Sequence, residues 1–437
     1  MNCLKHMVSI LFVLLLVLVP FSSCVTKQNN SQLTVFCTSR EYTGQFFNTT
    51  ISEYEKLSGA EVILWEQLPP SAVKPTTEKD WMDLNLRLKS AVMAGEGPDV
   101  FVFEGSEFYS ELYKMIEAGI FLDFDPLIEK DSEFKLDDYE KTIMDVGYYS
   151  GRRYILPLTY SVPNLVVNED KMKQFNVNLD DVSTYKNLLN TALRLHTEGK
   201  SLYTDLGSVF YYGEYSWSQE AIDFENKKLN LDVDTFDMFM QYQREEINLS
   251  DNYTKGISSI DFAELTANED GLFFFDDGLM GLTRVLSSGR EDNSILILPI
   301  PNSKGNHTAC VTYFAMIPSS SKNIEGAWEF VKLLLGDDFQ KQIYMNYMGA
   351  EGVGVKSSLI DYNIEHFTEM NSSFGPIPEK YIEKIKTLYK NYDNVVIPWI
   401  GIVYLGTDVH GEDYLTTGDF DALKVRLKQY YTIWFSE

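Results

Sequence analysis

A chain of 437 residues with 44% hydrophobic and 14% aromatic content has the composition of a folded globular protein and the length for two domains. Its formal net charge of -27, from 37 Lys and Arg against 64 Asp and Glu, excludes nucleic acid as a partner, because such binding rests on neutralising phosphates with basic side chains. The same balance disfavours polyanionic ligands.

Lys5 precedes a leucine- and valine-rich run from Met7 to Val19 that breaks at Pro20. A helix needs about 20 apolar residues to span a bilayer. The run is shorter and has the form of an export signal. Phe21-Ser22-Ser23-Cys24 follows, and small residues directly before a cysteine resemble the bacterial lipoprotein signal. In that signal the cysteine is diacylated, palmitate being one expected chain, and becomes the mature N-terminus. Phe21 stands where Leu is usual. The alternative is an ordinary signal peptide whose cysteine is incidental. The expectation is a signal over residues 1–24 ending at Cys24, a polar tether over 25–32, and a protein held outside the cytoplasm by its lipid alone.

Alternation then begins. Leu33 to Cys37 reads as a buried strand, and Phe47, Ile51 and Tyr54 recur at helical spacing before Gly59, where a helix stops. Val62 to Trp65 is a second strand, Trp81 to Ala94 a helix striped by Leu84, Leu88 and Val92, and Val100 to Phe103 a third strand. Ser106 opens another helix. Strand–helix alternation of this kind predicts a mostly parallel sheet covered on both faces. Downstream, Leu165 to Val167 is a short strand, followed by helices over Asp170–Phe175 and Tyr185–Leu195. Leu272 to Phe275 and Ile295 to Leu298 are strands. A helix from Asn323 carries Ala327, Phe330, Val331 and Leu334 on one face and ends near Gly336. Asp337 with Gln340 then reads as a capping box. Phe420 to Trp434 is helical, and no 20–50-residue period recurs.

Cys3 lies in the signal, leaving Cys37 and Cys310 beside Cys24. Both sit in apolar, strand-like contexts. A disulfide between them and two separately buried thiols are both open.

Several segments, in order, resemble the family 1 extracellular solute-binding proteins of ABC importers, the sugar-binding class related to maltodextrin-binding proteins. Met93-Ala94-Gly95-Glu96-Gly97-Pro98-Asp99-Val100 is similar to the family's small-Gly-x-x-Pro-Asp-Val turn. Gly151-Arg152-Arg153-Tyr154-Ile155-Leu156-Pro157, followed by Leu165-Val166-Val167-Asn168, resembles its Gly-x-x-Tyr-x-x-Pro segment, with Val167 where an aromatic is usual. Phe273-Phe274-Phe275-Asp276-Asp277-Gly278-Leu279-Met280 stands where the family turns from strand to helix. Leu298-Pro299-Ile300-Pro301, Ala315-Met316-Ile317-Pro318 and Ala327-Trp328-Glu329-Phe330 complete the set.

The resemblance implies an α/β fold of the type II periplasmic-binding-protein kind, with two lobes joined by a hinge of three crossings. The expected boundaries are 33–158 with 299–318 for one lobe and 159–298 with 319–437 for the other. Crossings are placed near Pro157–Pro163, Leu298–Pro301 and Pro318–Ser320, where prolines cluster and end preceding elements. It also implies a monomer that holds a small solute in the interlobe cleft and delivers it to ABC permease subunits, with no cofactor and no catalysis.

Open α/β sheets bind ligands beyond the carboxyl ends of their strands. Sugars present apolar faces and a rim of hydroxyls, which call for flat aromatics edged by short polar groups. Strand-end loops supply both. Arg40 and Glu41 follow the first strand, Trp65 and Glu66 the second, Glu104 the third, and Tyr160 lies at the first expected crossing. Tyr215 and Trp217 belong to an aromatic stretch from Tyr211. Phe275, Asp276 and Asp277 precede a helix whose N-terminus favours anionic groups. Trp399 follows Pro398. Each has a plainer role available: N-cap for Asp276 or Asp277, core residue for Trp65, solvated carboxylate for Glu41 and Glu104.

Enzyme chemistries fit less well. A glycoside hydrolase needs two opposed carboxylates about 5–10 Å apart, and adjacent acids such as Asp276 and Asp277 diverge on a turn. The five histidines never fall at metal-ligand spacing. Asp232 and Asp234 lack the glycine and distal Glu of an EF-hand loop, which leaves calcium open. No Gly-x-x-x-x-Gly-Lys loop or Gly-x-Ser-x-Gly elbow occurs. The acidic balance keeps a cationic solute, a polyamine or basic peptide, as the rival ligand class, and an extracellular glycoside hydrolase as the rival activity.

Overall fold

Leu33, Val35, Phe36 and Cys37 are all buried, so the first strand has apolar cover on both faces, as a central strand must. The computed structural model describes residues 32–37, 40–65, 78–104, 109–198, 221–223, 226–231, 236–237, 240, 272–276, 278–287, 295–345, 352–372, 375–397, 414 and 417–436. In chain order the described elements are β1 (Gln32–Cys37), α1 (Arg40–Ser58), β2 (Glu61–Leu64), α2 (Glu78–Met93), β3 (Val100–Glu104), α3 (Tyr109–Glu117), α4 (Asp125–Lys130), α5 (Lys141–Asp145), β4 (Tyr148–Tyr149), β5 (Arg152–Arg153), β6 (Leu156–Ser161) and β7 (Asn164–Asn168). They continue with α6 (Glu169–Gln174), α7 (Tyr185–Thr197), β8 (Ile222–Asp223), β9 (Lys228–Leu229), β10 (Phe273–Asp276), α8 (Leu279–Ser287), β11 (Ile295–Pro299) and β12 (Thr308–Met316). The last are α9 (Ile324–Leu335), α10 (Asp337–Gln342), β13 (Val353–Gly354), α11 (Ile360–Asn371), α12 (Glu379–Lys390), β14 (Asn394–Val396) and α13 (Phe420–Ser436).

Two sheets carry the architecture. The larger runs β13-β6-β12-β3-β1-β2, with β14 also beside β12; the smaller runs β10-β7-β11. β1 pairs in parallel with β2 and β3, as the strand–helix alternation predicts. β12 lies antiparallel between β3 and β6, and the smaller sheet is antiparallel throughout. The larger sheet is therefore mixed, not mostly parallel. The reason is long-range: β12 arrives after the chain has passed through the smaller sheet, and it enters running the other way.

Helix α1 stops at Gly59, whose φ of +70° suits glycine and continues the chain into β2. Its buried Phe47 and Tyr54 meet Phe330 of α9 edge to face, with ring centroids 5.8 and 5.5 Å apart. Full burial of a phenylalanine such as Phe330 stabilises by about 1.5–3 kcal/mol. Asn323 caps α9 by accepting from the Gly326 N–H at 3.0 Å. The capping box expected for α10 does not form. Gly336 is its N-cap, Asp337 pairs with Lys356, and buried Gln340 donates to the Leu158 and Leu334 carbonyls at 3.2 and 3.0 Å. Cys37 and Cys310 are separate buried thiols.

The chain passes between the two sheets where β6 ends at Ser161 and β7 begins at Asn164, and again where β11 ends at Pro299 and β12 begins at Thr308. Ser319 N–H donates to the Ile120 carbonyl, Leu122 N–H to that of Ile317, and α9 packs on α1, so the chain stays with the larger sheet. Val353 and Gly354 pair with β6 of that sheet before α11 packs against both β13 and α8. The chain thus stays with the larger sheet as far as β13, and it is in that sheet again at β14. The apolar stripe of α9 sets this placement, because its buried face needs α1 beneath it.

Candidate functional site

β1, β2, β3 and β6 all point the same way, since β12 is antiparallel to both β3 and β6. Their carboxyl ends therefore share one edge of the larger sheet. Arg40 and Glu41 open α1 just past that edge, Trp65 follows β2 directly, and Glu104 is the last residue of β3. In the smaller sheet, Asn164 at the start of β7 is aligned with Asp276 at the end of β10 and Pro299 at the end of β11. Only Val162 and Pro163 separate β6 from β7, and three Cα steps span no more than about 11 Å. The Ile300 N–H donates to the Pro163 carbonyl at 3.0 Å, which binds the second passage to the first. The backbone thus brings the strand ends carrying Arg40, Glu41, Trp65 and Glu104 towards those carrying Phe275 and Asp276. Tyr215, Trp217, Asp277 and Trp399 lie outside the described residues.

Trp65 is half-buried. Its backbone N–H donates to the Val35 carbonyl at 2.8 Å, and its ring stands edge-on to Phe36 at 6.0 Å. Phe36 in turn meets Phe101 and Phe103, so the indole closes an aromatic column running through the sheet. Tyr160 differs from expectation. It is fully buried, its hydroxyl donates to the Tyr389 carbonyl at 2.9 Å, and its ring packs on Tyr389 and Tyr392. Burial pushes its phenol well above the usual range. β6 lies inside the sheet between β12 and β13, and Tyr160 is packed within it.

Asn164 is the polar group that the sequence reading passed over. It is fully buried at the junction of the sheets, and among the described residues neither its Oδ1 nor its Nδ2 has a hydrogen-bond partner. A buried unpaired amide costs about 1–3 kcal/mol, and this one offers one accepting and one donating end at the meeting point of the passages. An Asn directly after Pro163, at an expected crossing, was the signal. Nearby, Thr159 of β6 and Thr312 of β12 share a hydrogen bond of 2.6 Å. Among the described residues no three His, Cys, Asp or Glu side chains gather as a metal site, and no helix is long and apolar enough to cross a membrane.

Solved structures share this architecture. An ABC substrate-binding protein from Listeria monocytogenes, in complex with cycloalternan, matches with a TM-score of 0.58 at 14% identity, covering 92% of this chain and 97% of that one. The GacH receptor of Streptomyces glaucescens, solved unliganded and with acarbose, matches with 0.56 at 14% identity over 93% and 98%. An ABC transporter associated binding protein from B. animalis subsp. lactis, in complex with beta-1,6-galactobiose, gives 0.56 at 14% over 93% and 98%. The fold is that of the type II periplasmic binding proteins, two α/β lobes about a hinge. The profile of the bacterial extracellular solute-binding proteins matches residues 72–341, more than half of the chain, and the chain belongs to that family.

Proposed function

We propose that this protein captures a small neutral solute, a mono- or oligosaccharide, between its lobes and delivers it to the permease of an ABC importer. Cys24, acylated, tethers it to the outer face of the membrane, and it acts as a monomer. The observation that carries the reading is the convergence of the carboxyl ends of both sheets at the two-residue passage Val162-Pro163. Three of the structures that share this fold were solved with saccharides or an acarbose-type ligand, which supports the solute class. Trp65 and Phe275 supply aromatic surface; Arg40, Glu41, Glu104 and Asp276 supply the polar rim. Trp217, Trp399, Tyr215 and Asp277 are proposed for the same site from their place in the sequence.

A calorimetric screen of mono- and oligosaccharides against polyamines and basic peptides tests the solute. Binding of a sugar, weakened by Trp65→Ala and Asp276→Asn, supports the reading. Stabilisation by no sugar together with salt-sensitive binding of a polyamine, lost in Glu104→Gln, replaces it with the cationic class. Turnover of a glycoside that is lost on carboxylate replacement would make the protein a hydrolase.

A further inference from the structure

β12 is buried along its whole length except at Thr312, which is partly exposed. The strand pairings show why cover fails at this one position. Cys310 pairs with both β6 and β14, and Tyr313 with both β6 and β3. β14 and β3 therefore share the flank of β12 that faces away from β6. β14 occupies it along Thr308 to Cys310 and β3 along Tyr313 to Met316, so Val311 and Thr312 fall between them. β14 is parallel to β12 and β3 antiparallel, so the two strands run towards each other. They stop with their carboxyl ends, Val396 and Glu104, on either side of a slot of three strand rises, about 10 Å. Two chains that meet head-on in so short a slot must both leave the sheet there. Strand ends that leave a sheet at one point bound a crevice, which is where α/β sheets take their ligands.

Thr312 is the polar side chain at this opening, and its hydroxyl is held in place. Fully buried Thr159 of β6 shares a 2.6 Å hydrogen bond with it. The β6–β12 register shifts between Val311 and Tyr313 and again between Tyr313 and Phe314, so Thr312 stands outside the regular ladder. Irregularities of this kind re-aim a side chain. A hydroxyl donates once and accepts twice, so the bond to Thr159 leaves capacity for another group. The surroundings belong to the cleft already described. Tyr313, the next residue, is paired with Glu104, and the ring of Phe314 meets Phe103 of the aromatic column that Trp65 closes.

We propose that Thr312 is a solute contact: its hydroxyl bonds one hydroxyl of the captured sugar in the slot between β3 and β14, and Thr159 positions it. The proposal rests on the sugar reading and names a contact within it.

The test titrates the mature protein calorimetrically with glucosides and galactosides of one to four units, and with the monodeoxy forms of each that binds. Thr312→Val removes the hydroxyl at nearly constant shape and is expected to weaken binding about three- to tenfold, the reach of one neutral hydrogen bond. Thr312→Ser keeps the hydroxyl and is expected to bind like wild type. The monodeoxy form lacking the partner hydroxyl is expected to bind wild type and Thr312→Val equally, which looser packing alone would not produce. Thr312→Cys, probed with a methanethiosulfonate reagent, is expected to react faster than wild type, whose Cys37 and Cys310 are buried, and to be protected by the sugar. No reaction above wild type in the folded protein overturns the placement, whatever the solute. A sugar that binds wild type and Thr312→Val alike, or a loss equal for every deoxy form, overturns the contact and leaves sugar capture standing. A screen in which no saccharide binds removes sugar capture, and this contact with it.

Discussion

Arg153 is the most heavily committed charge in the described residues. Its side chain is 1% exposed; Nε donates to Asp125 at 3.1 Å, the guanidinium also bonds Asp145 and the Met144 carbonyl, and its plane lies 4.2 Å from the Tyr148 ring. Removing one partner of a buried ionic network strands the rest, which costs about 3–5 kcal/mol. Arg153→Ala is expected to lose stability on that scale, read from the urea midpoint, and Arg153→Lys to recover part of it, because an ammonium lacks the planar fork. Asp131 makes the complementary case for pH. Lys332, donating to it at 2.6 Å, is the main cause that holds its carboxyl down at about 2; partial burial opposes this, and the Trp328 indole and Glu133 N–H assist. The folded value lies below the unfolded one, about 3.9. Its contribution is therefore complete above pH ~4 and is lost as pH falls towards about 2. Unfolding free energies of wild type and Asp131→Asn, measured across that window, are expected to converge towards the acid end and stay parallel above it.

Elements form where local pattern and long-range packing agree. The stripes of α1 and α9, the stop at Gly59 and the Asn323 cap were readable from spacing and capping chemistry alone, because each is decided within a few residues. The sheet order was not, since β12 is inserted by residues far downstream of the strands it separates. The same blindness explains Gln340, read from sequence as half of a capping box, and Tyr160, read as a residue at a crossing: the one bonds β6 and the other packs within it. Of the site, the strand-end positions were legible because a strand's carboxyl end follows from its pattern, whereas Asn164 needed the pairing of β7 with β10 and β11 to show its place. Gln340 joins three elements, since it serves the Leu158 carbonyl of β6, the Leu334 carbonyl of α9 and the Lys356 N–H before α11. Gln340→Ala removes these three bonds and opens space, so a loss of about 2–4 kcal/mol is expected. Hydrogen exchange is expected to localise the added opening to β13 and the end of α9. Uniform acceleration across the larger sheet would show that the side chain does not join these elements.

At the scale of the whole molecule, the passages at 162–163 and 300–307 are tied by the Ile300–Pro163 hydrogen bond, and the second is held at His307 to Asp393 just ahead of β14. Adjacent strands that cross together restrict relative motion of the sheets to a bend about their common line, the hinge mode that encloses a guest. Gly352 lies so close to β6 that a Cβ there would stand 2.1 Å from the Tyr160 carbonyl, which pins β13 to the larger sheet. Bending is thus confined to short segments between well-packed bodies, and a solute that touches both strand edges stabilises one bend over all others. At a hundredfold excess over its Kd such a solute adds about 2.7 kcal/mol to the folded state. A rise in Tm of several degrees is therefore expected, together with a smaller radius of gyration. A rise in Tm without compaction would mean that the solute sits on one lobe alone and that the hinge takes no part in its capture.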